Sequence, residues 1–142
     1  MQEGLKKTLI IGIDSGVNTG IGIVHEKFGL QEVTSMKILD AFDLILEKKD
    51  QIKGVVVEDA RFVKYKVKRE RAQGAGSVKR DAILWEDFLI KHNIPYKMVR
   101  PNKQITKWES KKFAEYTGWT KQTNNHGRDA ALLALSFRNY FN

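Results

Sequence analysis

The chain has 142 residues, of which 25 are basic and 17 acidic, and it contains no cysteine. The length fits one domain, residues 1–142, that can bury its own core. The lack of cysteine excludes disulfides, zinc–thiolate sites and a cysteine nucleophile. No apolar run approaches the roughly 20 residues that cross a membrane, and the N-terminus lacks a signal-peptide layout, so we expect a cytoplasmic protein without membrane contact.

The net charge of +8 favours a polyanionic partner, and its distribution is uneven. Residues 1–60 carry 7 basic and 10 acidic residues, whereas residues 61–142 carry 18 basic and 7 acidic. The stretch 61–80 alone holds 8 basic residues and one acid, interleaved with Phe62 and Tyr65. A charge run is usually a solvated surface, but the interleaved aromatic residues favour contact with nucleic acid.

Three strands are predicted at the start of the chain. The apolar run over 8–14 predicts a buried strand, and a turn over 17–20 leads into a second strand over 21–26 to form a hairpin. A weaker third strand is expected over 32–37.

Helices and strands alternate in the remainder. Further predicted elements are a helix over 39–50, a strand over 55–58, a helix over 79–92, a strand over 95–99, a basic helix over 102–116 and an apolar helix over 126–140. The residues predicted to face the core are Leu39, Phe42, Ile45 and Leu46 in the first helix, and Ile83, Leu84, Phe88 and Leu89 in the second. Residues 61–78 show no clear period and indicate a functional loop or a helix extension. The pattern predicts an α/β fold, a mixed sheet with helices on its faces.

Three carboxylates stand at the ends of predicted elements. Asp14 ends the first strand, Glu58 ends the fourth and Asp129 opens the last helix. Sites in α/β proteins form at the carboxyl ends of strands. Three acids meeting there would repel one another unless a cation lay between them, and a hard divalent cation prefers oxygen ligands. Taken singly, each is more often something else: an Asp after a strand a turn former, a Glu at a strand end a surface charge, and an Asp at a helix start a cap or a partner of the helix dipole.

His126 stands three residues before Asp129 and shares a helix face with it if both residues are helical. It is therefore a candidate metal ligand or general base, the alternative being a residue that merely precedes the helix. The Asp14-Ser15-Gly16 hairpin is also typical of the phosphate-binding hairpins of sugar kinases and actin-like ATPases. Those proteins need two large domains, for which this chain is too short.

The chain resembles the RuvC-type Holliday-junction resolvases of the RNase H-like nuclease superfamily in ordered segments between residues 8 and 140: IGIDSGVNTGIGIV, VVVEDARF, a basic glycine-containing stretch, YKMVRPNKQITK and HGRDAALLAL. The resemblance implies an RNase H-like, five-stranded mixed sheet flanked by helices. It also implies a homodimer that nicks four-way DNA junctions with Mg²⁺ or Mn²⁺. The small size and the lysine- and asparagine-rich composition favour a bacteriophage member.

The resemblance also assigns roles to residues. It implies that Asp14, Glu58 and Asp129 are metal ligands, and His126 falls where many relatives have Asp and some have His. Phe62 is the best match to an aromatic residue that relatives stack on DNA bases, although it stands one residue off the usual position. The other residues expected to bind DNA are Arg61, Lys64, Arg69, Arg71, Lys79, Arg80, Lys103 and Lys107.

The mechanism expected from these residues uses two divalent ions, held by Asp14, Glu58, His126 and Asp129, on either side of a scissile phosphate. Carboxylates favour Mg²⁺, and the imidazole shifts the preference toward Mn²⁺. A twofold homodimer would cut both strands symmetrically. Its interface is expected on the apolar parts of the 80–92 helix, including Trp85, unless Trp85 belongs to the core.

Three alternatives remain open at this point. One is an RNase H-like nuclease that acts on flaps, replication forks or structured RNA. Another is a non-catalytic module that binds branched DNA, although the presence of all four candidate metal residues argues against it. The third is an ATPase, which the chain length disfavours.

Overall fold

Five strands form one mixed sheet in the order β3-β2-β1-β4-β5. The computed structural model describes residues 6–59, 61 and 69–142, with the side chains of 69–78 excepted. The strands are β1 (Leu9–Asp14), β2 (Asn18–His25), β3 (Gly29–Lys37), β4 (Ile52–Glu58) and β5 (Tyr96–Val99). The pairs β1–β2 and β2–β3 are antiparallel, and β1–β4 and β4–β5 are parallel. The predicted five-stranded mixed sheet is confirmed.

Helices cover both faces of this sheet. They are α1 (Ile38–Lys48), α2 (Arg69–Lys91), α3 (Ser110–Thr117) and α4 (Asn125–Ser136), and a 3-10 turn over Lys49–Gln51 follows α1. Within the described part of the chain, no helix is long and apolar enough to cross a membrane.

On one face of the sheet, α1 and α2 pack through aromatic rings. The ring of Phe42 lies 4.6 Å from that of Trp85 and 4.4 Å from that of Phe88, measured between centroids. Both helices were predicted to be amphipathic, and Ile45 and Leu89 are buried as expected. Trp85 is fully buried as well, so it belongs to the core and not to a dimer surface.

Four residues predicted to face the core are exposed instead. They are Leu39, Leu46, Ile83 and Leu84, with Leu39 70% exposed. The buried apolar positions are Ala41 and Ile45 on α1, and Ala82, Trp85 and Leu89 on α2, while Phe42 and Phe88 are half-buried. The buried face of each helix is therefore narrower than its apolar face, and the residues at the edges of the apolar face lie in solvent.

Several predicted boundaries also differ. Residues 61–78 were predicted to be either a loop or an extension of the next helix. For residues 69–78 the extension is correct, since α2 begins at Arg69 and not at residue 79. The helix predicted over 102–116 begins only at Ser110, because residues 102–109 form turns in which the side chain of Asn102 accepts a hydrogen bond from the amide of Gln104. The last helix ends at Ser136, four residues early, and turns follow it.

On the opposite face, α4 lies directly against β1 and β2 because glycines face it. A Cβ atom on Gly12 would lie 2.0 Å from the carbonyl oxygen of Ala130, and one on Gly20 would lie 2.0 Å from that of His126. A Cβ on Gly22 would lie 2.2 Å from the Cα of Ala131. The backbone of α4 therefore rests on the backbone of the sheet, with its first turn beside the end of β1.

Candidate active site

Asp14 and Glu58 end two neighbouring parallel strands at the same edge of the sheet. In the register of β1 with β4, Ile13 pairs with Val57, so each carboxylate is the next residue along. Asp14 stands two residues after Gly12, which faces α4, and Glu58 stands two residues after Val56, which packs on the α4 side. Because side chains alternate along a strand, both carboxylates project toward α4.

The first turn of α4 brings His126 to Asp14. The imidazole Nδ1 of His126 lies 3.0 Å from Oδ2 of Asp14. The helix begins at this place because Asn124 caps it, its side-chain oxygen accepting from the amide of Gly127 at 2.8 Å. The amide nitrogen of the Asn124 side chain also donates to Oγ of Ser35 at 2.6 Å, which ties the helix start to β3.

Asp129, three residues after His126, is held by a backbone donor from the preceding loop. The amide of Lys107 donates to Oδ1 of Asp129 at 2.9 Å. Lys107 has a φ of 57°, a left-handed conformation that costs a residue with a Cβ about 1–2 kcal/mol. The 102–109 segment is thus held in a turn that directs an N–H at this carboxylate.

The electrostatics couple the three carboxyl groups. Burial, reinforced by the negative charges of Asp14 and Asp129, raises the pKa of Glu58 to about 7. Burial also raises the pKa of Asp14, although the hydrogen bond from His126 acts against it. The pKa of Asp129 is raised by burial too, against the effect of the Lys107 amide. These groups therefore form a site in which negative charge is costly and a cation would be stabilising.

The donor set fits a hard divalent cation in kind, since it comprises three carboxylates and one imidazole. The pKa values of these carboxyl groups are raised, and a bound cation would lower them because it stabilises the ionised form. Across residues 6–59, 61 and 69–142, however, no three acidic or histidine side chains converge closely enough to enclose a metal ion. Binding one would require these side chains to turn toward a common point.

The residues expected to bind DNA fall into three groups. Arg80, Lys103 and Lys107 are exposed, and Lys79 is half-buried. Arg69 and Arg71 lie in the first turns of α2, for which the structure does not describe the side chains. Phe62 and Lys64 lie outside the described residues. Contact of these residues with DNA stays a prediction.

Arg61, also expected to bind DNA, is engaged by two carboxylates. Its Nε lies 2.9 Å from both carboxylate oxygens of Asp59, and its Nη2 lies 2.7 Å from Asp59 and 3.0 Å from Glu86. Asp59 is 1% exposed, and although burial acts to raise its pKa, the bonds from Arg61 hold that pKa below its usual range. Arg61 thus fastens the chain just after Glu58 to α2.

Sequence reasoning missed several of these partners. The capping role of Asn124 was readable from an Asn placed just before an apolar helix. The Asp59–Arg61–Glu86 cluster and the contact of the Lys107 amide with Asp129 join residues whose proximity only the fold determines. Arg128 was missed as well, and it is buried beside the site.

Comparison with known proteins supports the fold. No model of a protein family matches the chain, and a search of curated protein sequences finds no significant match. Among solved structures, the chain is similar to T. thermophilus RuvC in complex with a Holliday junction substrate, with a TM-score of 0.62, 17% sequence identity, and coverage of 94% of this chain and 93% of that one. A second Thermus thermophilus RuvC structure matches with a TM-score of 0.60 and 16% identity, over 94% and 93% of the two chains.

Neither of these structures comes from a bacteriophage, so a phage origin of this chain has no support. The chain has a RuvC-like, RNase H-like fold, as the resemblance of its sequence implied.

Proposed function

We propose that this protein is a structure-specific DNA endonuclease that resolves four-way junctions by paired, metal-dependent nicks. The observation that carries the proposal is that Asp14 and Glu58 end neighbouring parallel strands on the side of the sheet covered by α4, the helix that bears Asp129. Burial, together with the negative charges of Asp14 and Asp129, raises the pKa of Glu58 to about 7. T. thermophilus RuvC, whose fold matches 94% of this chain, was solved in complex with a Holliday junction substrate. The fold likeness and the acidic site together favour this function.

Asp14, Glu58, His126 and Asp129 would hold the metal, Mg²⁺ or Mn²⁺, with two ions expected per site. When bound, divalent cations supply Lewis-acid stabilisation of phosphate charge and activation of water. The residues of the chain orient the ligands: His126 fixes one oxygen of Asp14 and the Lys107 amide fixes one oxygen of Asp129. The other oxygen of each of these two carboxylates accepts no hydrogen bond from the described residues, and we assign it to the cation. Because an imidazole takes part, we expect appreciable activity with Mn²⁺.

Branched DNA is the proposed substrate because the similar T. thermophilus RuvC was solved with a Holliday junction, and because exposed lysines lie beside Asp129. Lys103 and Lys107 lie on the segment that contacts Asp129, and Arg80 is a further exposed basic residue on α2. Phosphates contacted by such residues contribute most of the affinity and make it depend on salt. Flaps, forks and structured RNA are the alternative substrates.

A homodimer would allow two equivalent strands of a junction to be cut symmetrically. Exposed apolar side chains on two helices offer a surface for it. They are Leu39 and Leu46 on α1, and Ile83, Leu84 and Ile90 on α2. Sedimentation of the wild type against an Ile83→Glu, Leu84→Glu variant tests this, and an unchanged monomer in both would contradict it.

The experiment that tests the function is cleavage of a panel of end-labelled substrates: a mobile four-way junction, a three-way junction, a fork, a flap and an RNA–DNA hybrid. We expect paired, symmetric cuts in the four-way junction with Mg²⁺ or Mn²⁺ and none with EDTA. Preferential cleavage of a flap or hybrid would support the alternative nuclease. Tight junction binding with no cleavage in any metal would support a non-catalytic module.

A further inference from the structure

Arg128 stands between two candidate ligands on α4, yet its side chain donates its hydrogen bonds to other residues and acts directly on Asp129 only through its charge. It is only 7% exposed, whereas the neighbouring His126 is exposed. An arginine is seldom buried without partners, because its charge must exchange water for other polar groups. The atoms that replace water therefore indicate what the residue does.

The guanidinium joins segments on both sides of α3 to the first turn of α4. Its Nε donates to the carbonyl oxygen of Trp108 at 2.9 Å. Its Nη1 donates to the carbonyl oxygen of Thr123 at 3.1 Å and to Oγ1 of the same residue at 2.7 Å, and its Nη2 donates to Oδ1 of Asn125. These acceptors are neutral oxygens in three different directions. The planar fork of an arginine can serve them together, and a lysine ammonium cannot span them.

Two consecutive residues of α4 hold two consecutive residues of the loop. Arg128 binds the carbonyl of Trp108, and Asp129 accepts the amide of Lys107. Lys107 has the left-handed φ of 57°, which residues with a side chain seldom adopt unless their surroundings impose it. Anchoring the next carbonyl is a direct way to impose it.

We propose that Arg128 is a positioning residue for the carboxylate of Asp129. By anchoring Trp108, it keeps the Lys107 amide on Oδ1 of Asp129 and so leaves Oδ2, which no described residue contacts by a hydrogen bond, for a divalent ion. The proposal rests on the proposed function in one respect, namely that Asp129 is a metal ligand. The orientation of the carboxylate by the loop can be tested without any metal.

The metal-free test is amide hydrogen exchange in the ¹⁵N-labelled full chain, followed at Lys107. We expect Arg128→Gln to speed this exchange about tenfold or more, because the loop opens locally once its anchor is lost. The matched control is Arg138→Gln, which removes an exposed arginine just after α4 and leaves the exchange unchanged. If Arg128→Gln does not fold, Arg128→Lys keeps the charge but loses the fork and is measured in the same way. A Lys107 amide that stays protected in the folded variant overturns the proposal.

The second test is the affinity for Mn²⁺ alone, from the free ion measured by electron paramagnetic resonance. We expect Arg128→Gln to weaken binding about tenfold, as is typical when a group that orients a ligand is removed. In the Asp129→Asn background, the same change should have no further effect, because no carboxylate remains to be positioned. An equal loss in both backgrounds means that Arg128 acts on the fold in general, and it overturns the proposal. Wild-type Mn²⁺ affinity in Asp129→Asn alone contradicts the proposed metal site, and the Lys107 exchange result then decides whether Arg128 orders the carboxylate.

Discussion

The imidazole of His126 lies 3.0 Å from the carboxylate of Asp14, although the two residues are 112 positions apart in the chain. The contact exists because glycines on β1 and β2 allow the start of α4 to rest on the sheet. Nδ1 is used by Asp14, which leaves Nε2 of the half-exposed ring for another partner. His126 is thus placed either to ligate a cation or to accept a proton.

Replacing His126 by Asp separates these two roles. If His126 is a metal ligand, His126→Asp keeps junction cleavage with Mg²⁺ and loses the relative advantage of Mn²⁺, because a carboxylate favours the harder ion. The measurement is the ratio of cleavage rates in the two metals. Complete loss of cleavage in both metals, with junction binding retained, would show that the imidazole is needed as a base.

The raised pKa of Glu58 predicts how stability depends on pH without metal. In the folded state this pKa is about 7, against 4.5 for a glutamate free in water, so the folded protein binds the proton more tightly. The free energy of unfolding should therefore fall as the pH rises from about 4.5 to about 7, and level off above. Glu58→Gln removes this loss and should be more stable than the wild type at pH 8 by about 2 kcal/mol, allowing for partial solvent screening.

Urea unfolding in EDTA at pH 4 and pH 8 measures this difference. The matched control is Glu47→Gln, an exposed glutamate on α1, which should not change the pH dependence. Added Mg²⁺ should stabilise the wild type at pH 8 more than it stabilises Glu58→Gln. A Glu58→Gln variant with the same pH profile as the wild type would mean that Glu58 is not buried among the other acids.

Gly12 should be intolerant of a side chain because α4 occupies the space. Gly12→Ala would place a Cβ 2.0 Å from the carbonyl oxygen of Ala130, so either the strand or the helix must shift. We expect a loss of about 1–3 kcal/mol in the free energy of unfolding, which is usual for overpacking. In the control Gly16→Ala, the new Cβ meets its nearest atom at 3.4 Å and should cost little. Equal stability of the two variants would contradict this packing.

Junction affinity should fall steeply with salt, because neutralised phosphates release counterions. Each of Lys103→Gln and Lys107→Gln should lower the slope of log affinity against log salt by about 1 if that lysine contacts a phosphate. Lys27→Gln is the control, since this exposed lysine lies in the β2–β3 turn at the other end of the sheet from Asp14. An affinity that does not depend on salt would contradict an electrostatic DNA path.

The sequence was sufficient for β1 and β4 because each is mainly a short apolar run, whereas β3 was expected over 32–37 and begins at Gly29. It placed Asp14 and Glu58 at strand ends, and Ile13 pairs with Val57 as a parallel arrangement requires. It could not fix which edge of an amphipathic helix faces inward, because that depends on the docking angle. Leu39 was therefore expected to be buried and is 70% exposed.

The contacts that orient the site were harder to foresee. Arg128 and Trp108 are 20 residues apart, and Arg61 and Glu86 are 25 apart, so no local pattern joins them. The segment before α3 was expected to be helical from its composition. Its turn at Lys107 is a tertiary feature, since the amide is held by Asp129 from another element.

The most direct test of the proposed function is cleavage of a synthetic four-way junction by the wild type and by Asp14→Asn in Mg²⁺ and Mn²⁺, with the cuts mapped on every strand. Symmetric paired cuts by the wild type, and a loss of about 10⁴-fold in rate with junction binding retained in Asp14→Asn, are the predicted results. Glu58→Gln and Asp129→Asn should behave alike, and Asp50→Asn, at an exposed acid after α1, should cleave normally. Normal cleavage by Asp14→Asn, or no cleavage of a bound junction by the wild type in either metal, would contradict the proposed function.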